Sequence, residues 1–234
     1  IANEPEFVER LAKYSPGLEV YLQFDSLSVE AQIRLRGADL RVIRQKALEN
    51  LEANGVSTTL VCTIQKDLND SEMGDVISHA LKWSCVRGVT FQPIQNAGRC
   101  EDYDPAKDRL TLTEMRRSIG ELSDIFIADD ILPVPCHPDS IAMAYALRLN
   151  DEILPITRYI EDEVMLAGGR STIQFEHDEE MKQKVMELLS TAHGPQSASH
   201  SLAQLLCCLP ELEVPEEFTY ENVFRIIIIL TKIS

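Results

Sequence analysis

Three short stretches of the chain concentrate side chains able to hold a polar ligand. "VYLQFDS" at 20–26 supplies Gln23, Asp25 and Ser26. "TIQKDLNDSE" at 63–72 supplies Gln65, Lys66, Asn69, Asp70 and Glu72, and "TFQPIQNAGR" at 90–99 supplies Gln92, Gln95, Asn96 and Arg99. Each follows or interrupts an apolar, β-branched run. A buried amide without a partner costs about 2–7 kcal/mol and a buried carboxylate more, so Gln23 and Asp25 must be reaching for something. Amides, carboxylates and a cation gathered at strand ends suit a ligand with many donors and acceptors. They do not suit nucleophilic catalysis. Lys66 is the only lysine in these stretches and no Ser-His-Asp or Cys-His set accompanies it, which weighs against an unrelated barrel aldolase or hydrolase.

Plain structural roles stand beside these. Asp25-Ser26 would serve as the N-cap region of the next helix, Asn69-Asp70 as a turn and cap, and Gln92 and Gln95 as sheet polars hydrogen-bonded to neighbours.

The elements that must carry these residues alternate regularly over the first hundred positions. Phe7, Val8 and Leu11 form a helical stripe over 4–14, stopped by Ser15-Pro16-Gly17. A strand is expected at 18–25. A helix over 28–54 follows, interrupted at Gly37 and ended by Asn54-Gly55. "VSTTLVCTIQ" at 56–65 reads as a central strand, 71–84 as a helix, and 87–95 as a third strand. Helical crossovers of this length join parallel strands, so the fold class is α/β with a parallel sheet, open or rolled into a barrel.

Beyond Gly98 the pattern changes. A polar loop leads to a helix over 113–127 capped by Thr111 or Thr113, then to a Pro-rich segment at 131–138. Residues 140–160 fit helix or strand. "EHDEEMKQKVMELL" is an amphipathic helix, and "GPQSASHS" at 194–201 has linker composition. "VFRIIIIL" at 223–230 is a strand that needs cover on both faces. Its position four residues from the last residue suggests truncation. Two regions are therefore expected, 1–100 and an α+β extension over 101–234.

Composition narrows the partners. The chain has 234 residues, 44% hydrophobic and 26% charged, with 22 basic against 38 acidic side chains and a net charge of −16. That balance opposes nucleic acid or an anionic membrane surface as the main partner. No run of 18 apolar residues and no signal peptide is present, so a cytoplasmic protein is expected. The six cysteines show no CxxC pair, and reduced buried thiols are the expectation, Cys207-Cys208 included. His177, His193 and His200 stand in polar surroundings that suggest exposure.

The series "EVYLQFDSLSVEAQIRLRGAD", "CTIQKDLNDSEM" and "RGVTFQPIQNAGR" resembles the second half of a radical S-adenosylmethionine enzyme, in the branch that includes the pterin-forming cyclase of molybdenum-cofactor synthesis and archaeal tetraether lipid synthase. The likeness covers residues 4–99 and continues more loosely through "ILPVPCHPDSIAMAYAL". It implies a partial β/α barrel of six strands whose N-terminal strands and cluster loop lie outside this chain. It implies S-adenosylmethionine as cofactor, and a [4Fe–4S] cluster on a CxxxCxxC loop that receives an electron from an external donor. The intact enzyme would form a 5′-deoxyadenosyl radical and abstract hydrogen from a small-molecule or lipid-like substrate.

On that resemblance Gln23 offers a polar side chain to the cofactor, with Asp25 and Ser26 after it. Arg36 meets the cofactor carboxylate. Asn69 and Glu72 match an "N-D-x-E" loop, and Gln92, Pro93 and Ile94 lie near the adenine. Cys136 in "PVPCHPD" matches a segment that serves an accessory cluster in some relatives, with a Pro-rich turn around a buried thiol as its plain alternative. Two departures stand out. Asp67 replaces a glycine usual before the Asn69 loop, and CxxxCxxC is absent, so this chain alone is expected to be inactive. The competing class is a degenerate, cluster-free binding or scaffold domain with the same rim.

Overall fold

The computed structural model describes residues 1–15, 17–95, 103–134, 137–149, 152–158 and 223–230. Helix α1 (Pro5–Ala12) leads into strand β1 (Val20–Gln23). Helices α2 (Val29–Arg36) and α3 (Arg41–Ala53) cross to β2 (Thr58–Ile64), and α4 (Met73–Ala80) crosses to β3 (Val86–Pro93). The three strands are parallel neighbours, with Gln23 beside Val61 and Thr63 beside Gln92. The expected alternation is therefore present. Local chemistry explains the breaks. Ser28, rather than Asp25 or Ser26, caps α2 by accepting from the Ala31 N–H. Gly37 ends α2 in the left-handed region at φ +78°, where a Cβ would be strained.

The remaining strands join the same sheet. Helices α5 (Pro105–Asp108) and α6 (Leu112–Leu122) precede β4 (Leu132–Pro133), β5 (Ile141–Leu149) and β6 (Glu152–Pro155), and β7 (Val223–Ile229) comes last. Thr111 and Glu114 form a reciprocal capping box at the start of α6, which fixes the expected cap. Strand β7 lies between β3, to which it is parallel, and β5, to which it is antiparallel. The order is β1-β2-β3-β7-β5-β4, with β6 beside β5, so the sheet is mixed and its hydrogen bonds cross the expected boundary at residue 100. Residues 141–149 and 152–155, ambiguous by pattern, are strand. The helix expected at 176–189, the linker at 194–201, Cys207-Cys208, the three histidines and Cys136 lie outside the described residues.

The two faces of the sheet differ in chemistry. One carries Leu60, Cys62, Ile64, Val89, Phe91, Phe224, Ile226 and the alanines of β5, packed under Val8, Leu48, Leu51, Met73, Ile77, Met115 and Ile119 from the helices. Complete burial of side chains of this size contributes about 1.5–3 kcal/mol each. By strand alternation the other face carries Gln23, Thr59, Thr63, Thr90, Gln92 and Arg225, with Val61, Ile227 and Met143 among them. Polar residues on strands this apolar mark the face where a ligand would sit.

Candidate functional site

The centre of the site is Asp25, two residues past the end of β1. It is 1% exposed and has φ +63°, a left-handed conformation that costs a non-glycine residue about 1–2 kcal/mol. Hydrogen bonds hold it there. Arg36 grips the carboxylate with a fork, Nε to Oδ2 and Nη2 to Oδ1, each at 2.8 Å. Arg44 Nη2 donates to Oδ2 at 2.7 Å, Gln23 Nε2 to Oδ1 at 2.7 Å, and the Thr63 N–H to Oδ1 at 3.1 Å. Burial pushes the Asp25 carboxyl up. The bonds from Arg36, Gln23 and the Thr63 N–H outweigh it and hold the group down at about 2.

Asp25 and Gln23 thus find each other first, and two arginines next. Arg44 is buried in α3, and desolvation lowers its pKa while Asp25 opposes the shift. It donates to the Phe24 carbonyl at 2.5 Å and also bonds the Gln32 amide oxygen. Gln32 in turn donates to the Phe24 and Ser26 carbonyls at 2.9 and 2.6 Å. The Phe24 and Ser26 carbonyls are thus held by side chains from α2 and α3.

The loop after β2 is tied to the same point. Asn69, 1% exposed, donates to the Thr63 and Asp25 carbonyls at 2.9 and 3.2 Å and accepts from the Gln65 N–H at 2.8 Å. It makes no side-chain cap, so it is a staple between two strand ends. Glu72 accepts from Ser26 Oγ at 2.5 Å and from the Leu27 N–H at 3.0 Å through one oxygen, Oε2. Asp67, the residue at the altered glycine position, has φ +58° and keeps the left-handed turn; aspartate tolerates this better than most residues.

The groups left without partners define what the site can offer. Arg36 has a side chain 33% exposed, and its desolvation is outweighed by Asp25, which raises its pKa. Its Nε and Nη2 face Asp25, and Nη2 also reaches Thr63 Oγ1 at 3.0 Å, which leaves Nη1 free among the described residues. Gln23 Oε1, Glu72 Oε1 and the Gln92 amide likewise have no partner there, and the buried Gln95 Nε2 has none. Pro93 is buried and Ile94 half-buried beside them, with the Ile94 N–H bonded to the Ile64 carbonyl at 2.8 Å. Two carboxylates, Asp25 and Glu72, stand against two guanidiniums, Arg36 and Arg44, so what the site offers an anionic group is the single charged donor Arg36 Nη1.

Sequence reasoning missed Arg44, Gln32 and Thr63. A signal for Arg44 was present: it stands with Ala47, Leu48 and Leu51 on the buried stripe of α3, where a lone arginine must have a buried acceptor.

A second polar cluster lies on the same sheet face, toward the strand starts. Arg225 of β7 crosses β3 at Gly88 to reach Glu19 and Thr59 Oγ1, the latter at 3.1 Å, and Thr59 Oγ1 donates to Glu19 at 2.6 Å. Gly88 is required there, because a Cβ would lie 2.6 Å from Arg225 Cγ.

Metal ligation is a separate matter. No group of three or more His, Cys, Asp or Glu side chains among the described residues could hold a metal ion. Cys62 and Cys85 are buried, and burial pushes both thiols up. Among the described residues no helix is long and apolar enough to cross a membrane.

No known family profile matches the chain. The chain is 29% identical to 7,8-dihydro-6-hydroxymethylpterin dimethyltransferase of Methanocaldococcus jannaschii, an enzyme, over 66% of its own length. The match takes in 36% of the length of that relative, so the chain corresponds to about a third of it.

Proposed function

We propose that this chain forms part of a radical S-adenosylmethionine enzyme and that its strand ends bind the cofactor. The sheet would be the wall of a partial barrel, with the polar face inward. The observation that carries this reading is Arg36, locked by Asp25 through Nε and Nη2 with Nη1 left over, in a chain related to a pterin methyltransferase. The remaining Nη1 can donate a charged hydrogen bond to a carboxylate, and the cofactor presents a carboxylate, an amine, a ribose and an adenine edge. Gln23 Oε1 and the Gln92 amide supply acceptors and donors for the last three, with Pro93 and Ile94 as apolar neighbours of the base. The donor set therefore fits S-adenosylmethionine.

S-adenosylmethionine, when bound and given one electron, supplies hydrogen-abstracting chemistry. The chain's own residues bind and orient. Arg36 fixes one end of the cofactor. Asn69 and Glu72 hold the loops, and Thr63 braces Arg36. The described residues do not fit an iron–sulfur cluster, since Cys62 and Cys85 are core thiols, so no step here runs through one. An external electron donor and the cluster ligands belong to the whole enzyme in this reading. The substrate is a small organic or lipid-like molecule, and the dihydropterin named for the relative is the first to test.

The test is anaerobic iron–sulfur reconstitution of the longest native reading frame that contains the chain, read by EPR with and without S-adenosylmethionine. A cluster signal shifted by the cofactor supports the reading. A frame that takes up no cluster favours the scaffold alternative and overturns it.

A further inference from the structure

Asp25 cannot contact a ligand as the resemblance implied for it. Both carboxylate oxygens are filled: Oδ1 accepts from Gln23, Arg36 and the Thr63 N–H, and Oδ2 from Arg36 and Arg44. Its side chain has no exposed surface. Yet the chain maintains it in a left-handed conformation by tying its carbonyl to Asn69 and its neighbours' carbonyls to Gln32 and Arg44. Strain supported by this many bonds is the pattern of a preorganised site.

We infer that Asp25 is a positioning residue: it clamps the Nε–Nη2 edge of Arg36 so that the free Nη1 is presented to the carboxylate of the bound ligand. This rests on the cofactor reading above and deepens it. The guanidinium is planar, so a fork on one edge fixes the direction of the remaining donors. Thr63 Oγ1 completes the brace from the neighbouring strand. A lysine at 36 would keep the charge and lose the direction.

The test compares S-adenosylmethionine with its decarboxylated analogue, titrated into the anaerobically reconstituted full-length protein by calorimetry. In the wild type the carboxylate contact should make S-adenosylmethionine bind about tenfold tighter or more, the usual scale of a charged hydrogen bond. Asp25→Asn should narrow that difference by about threefold or more while affinity for the analogue changes little. If Asp25→Asn does not fold, Thr63→Val decides. It removes the side brace and a long 3.4 Å bond from Gln23 Nε2 while leaving the Asp25 fork in place, and a loss of about threefold for S-adenosylmethionine, larger than that for the analogue, is expected. Equal losses for both ligands would mean a purely structural role and overturn the inference. A wild type that binds both ligands equally would overturn it and leave the cofactor reading standing, whereas one that binds neither overturns both.

Discussion

The sheet face that carries the site holds two arginine–carboxylate clusters, and they are built in opposite ways. At the strand starts, Arg225 and Glu19 join positions 206 residues apart, with side-chain exposures of 6% and 18%. At the strand ends the carboxylate is the buried centre. Asp25 has no exposed side-chain surface, Arg44 is 7% exposed, and Arg36 at 33% reaches outward with an unused nitrogen. The first cluster fastens β7 across β3 to the chain entering β1. The second presents a cation. The same pairing of residue types can close a sheet or open a binding site, and the difference lies in which partner is enclosed.

The largest effect expected from breaking this contrast comes from Asp25→Ala. It leaves Arg44 buried without its counter-ion and should destabilise the fold by about 3–5 kcal/mol in urea titration. Gly88→Ala strikes the other cluster, because the new Cβ meets Arg225 Cγ and its carbonyl at 2.6 and 2.7 Å. A loss of about 1–3 kcal/mol is expected, with affinity for S-adenosylmethionine unchanged in the folded protein.

Acid separates the clusters next. The Asp25 carboxyl sits at about 2 in the folded protein, below its ordinary value near 4. Its stabilising contribution is therefore complete above pH ~4 and is lost as pH falls toward ~2, about 2 kcal/mol in all. Asp25→Asn should remove that part of the acid transition, as followed by circular dichroism. Ser26→Ala, the mildest change, deletes the bond to Glu72 and the one accepted from the Ser28 N–H, and should cost about 1–2 kcal/mol by thermal unfolding.

Much of the fold could be read from the chain because its signals are local. Two-residue alternation in "VYLQ" and "TTLVCTI", Gly37 as a stop, and Thr111 with Glu114 as a cap each act within a few residues. The apolar run at 223–229 identified a buried strand, yet nothing in it specified insertion between β3 and β5. That position depends on partners more than 70 residues away. The site was legible to the same degree. Gln23, Asp25, Asn69 and Glu72 were visible as polar residues at strand ends. The identity of Asp25's partners was not, because Arg44 and Thr63 come from other elements and their pairing is tertiary.

The most direct test of the contrast measures stability and cofactor affinity together in two variants of the full-length protein, Arg36→Ala and Thr59→Val. The account predicts that Arg36→Ala weakens S-adenosylmethionine binding tenfold or more, about 1.4 kcal/mol, and also lowers stability, because buried Asp25 loses its fork. Thr59→Val should lower stability by about 1 kcal/mol and leave affinity unchanged. Loss of affinity in Thr59→Val with none in Arg36→Ala would contradict the assignment of presentation to one cluster and fastening to the other.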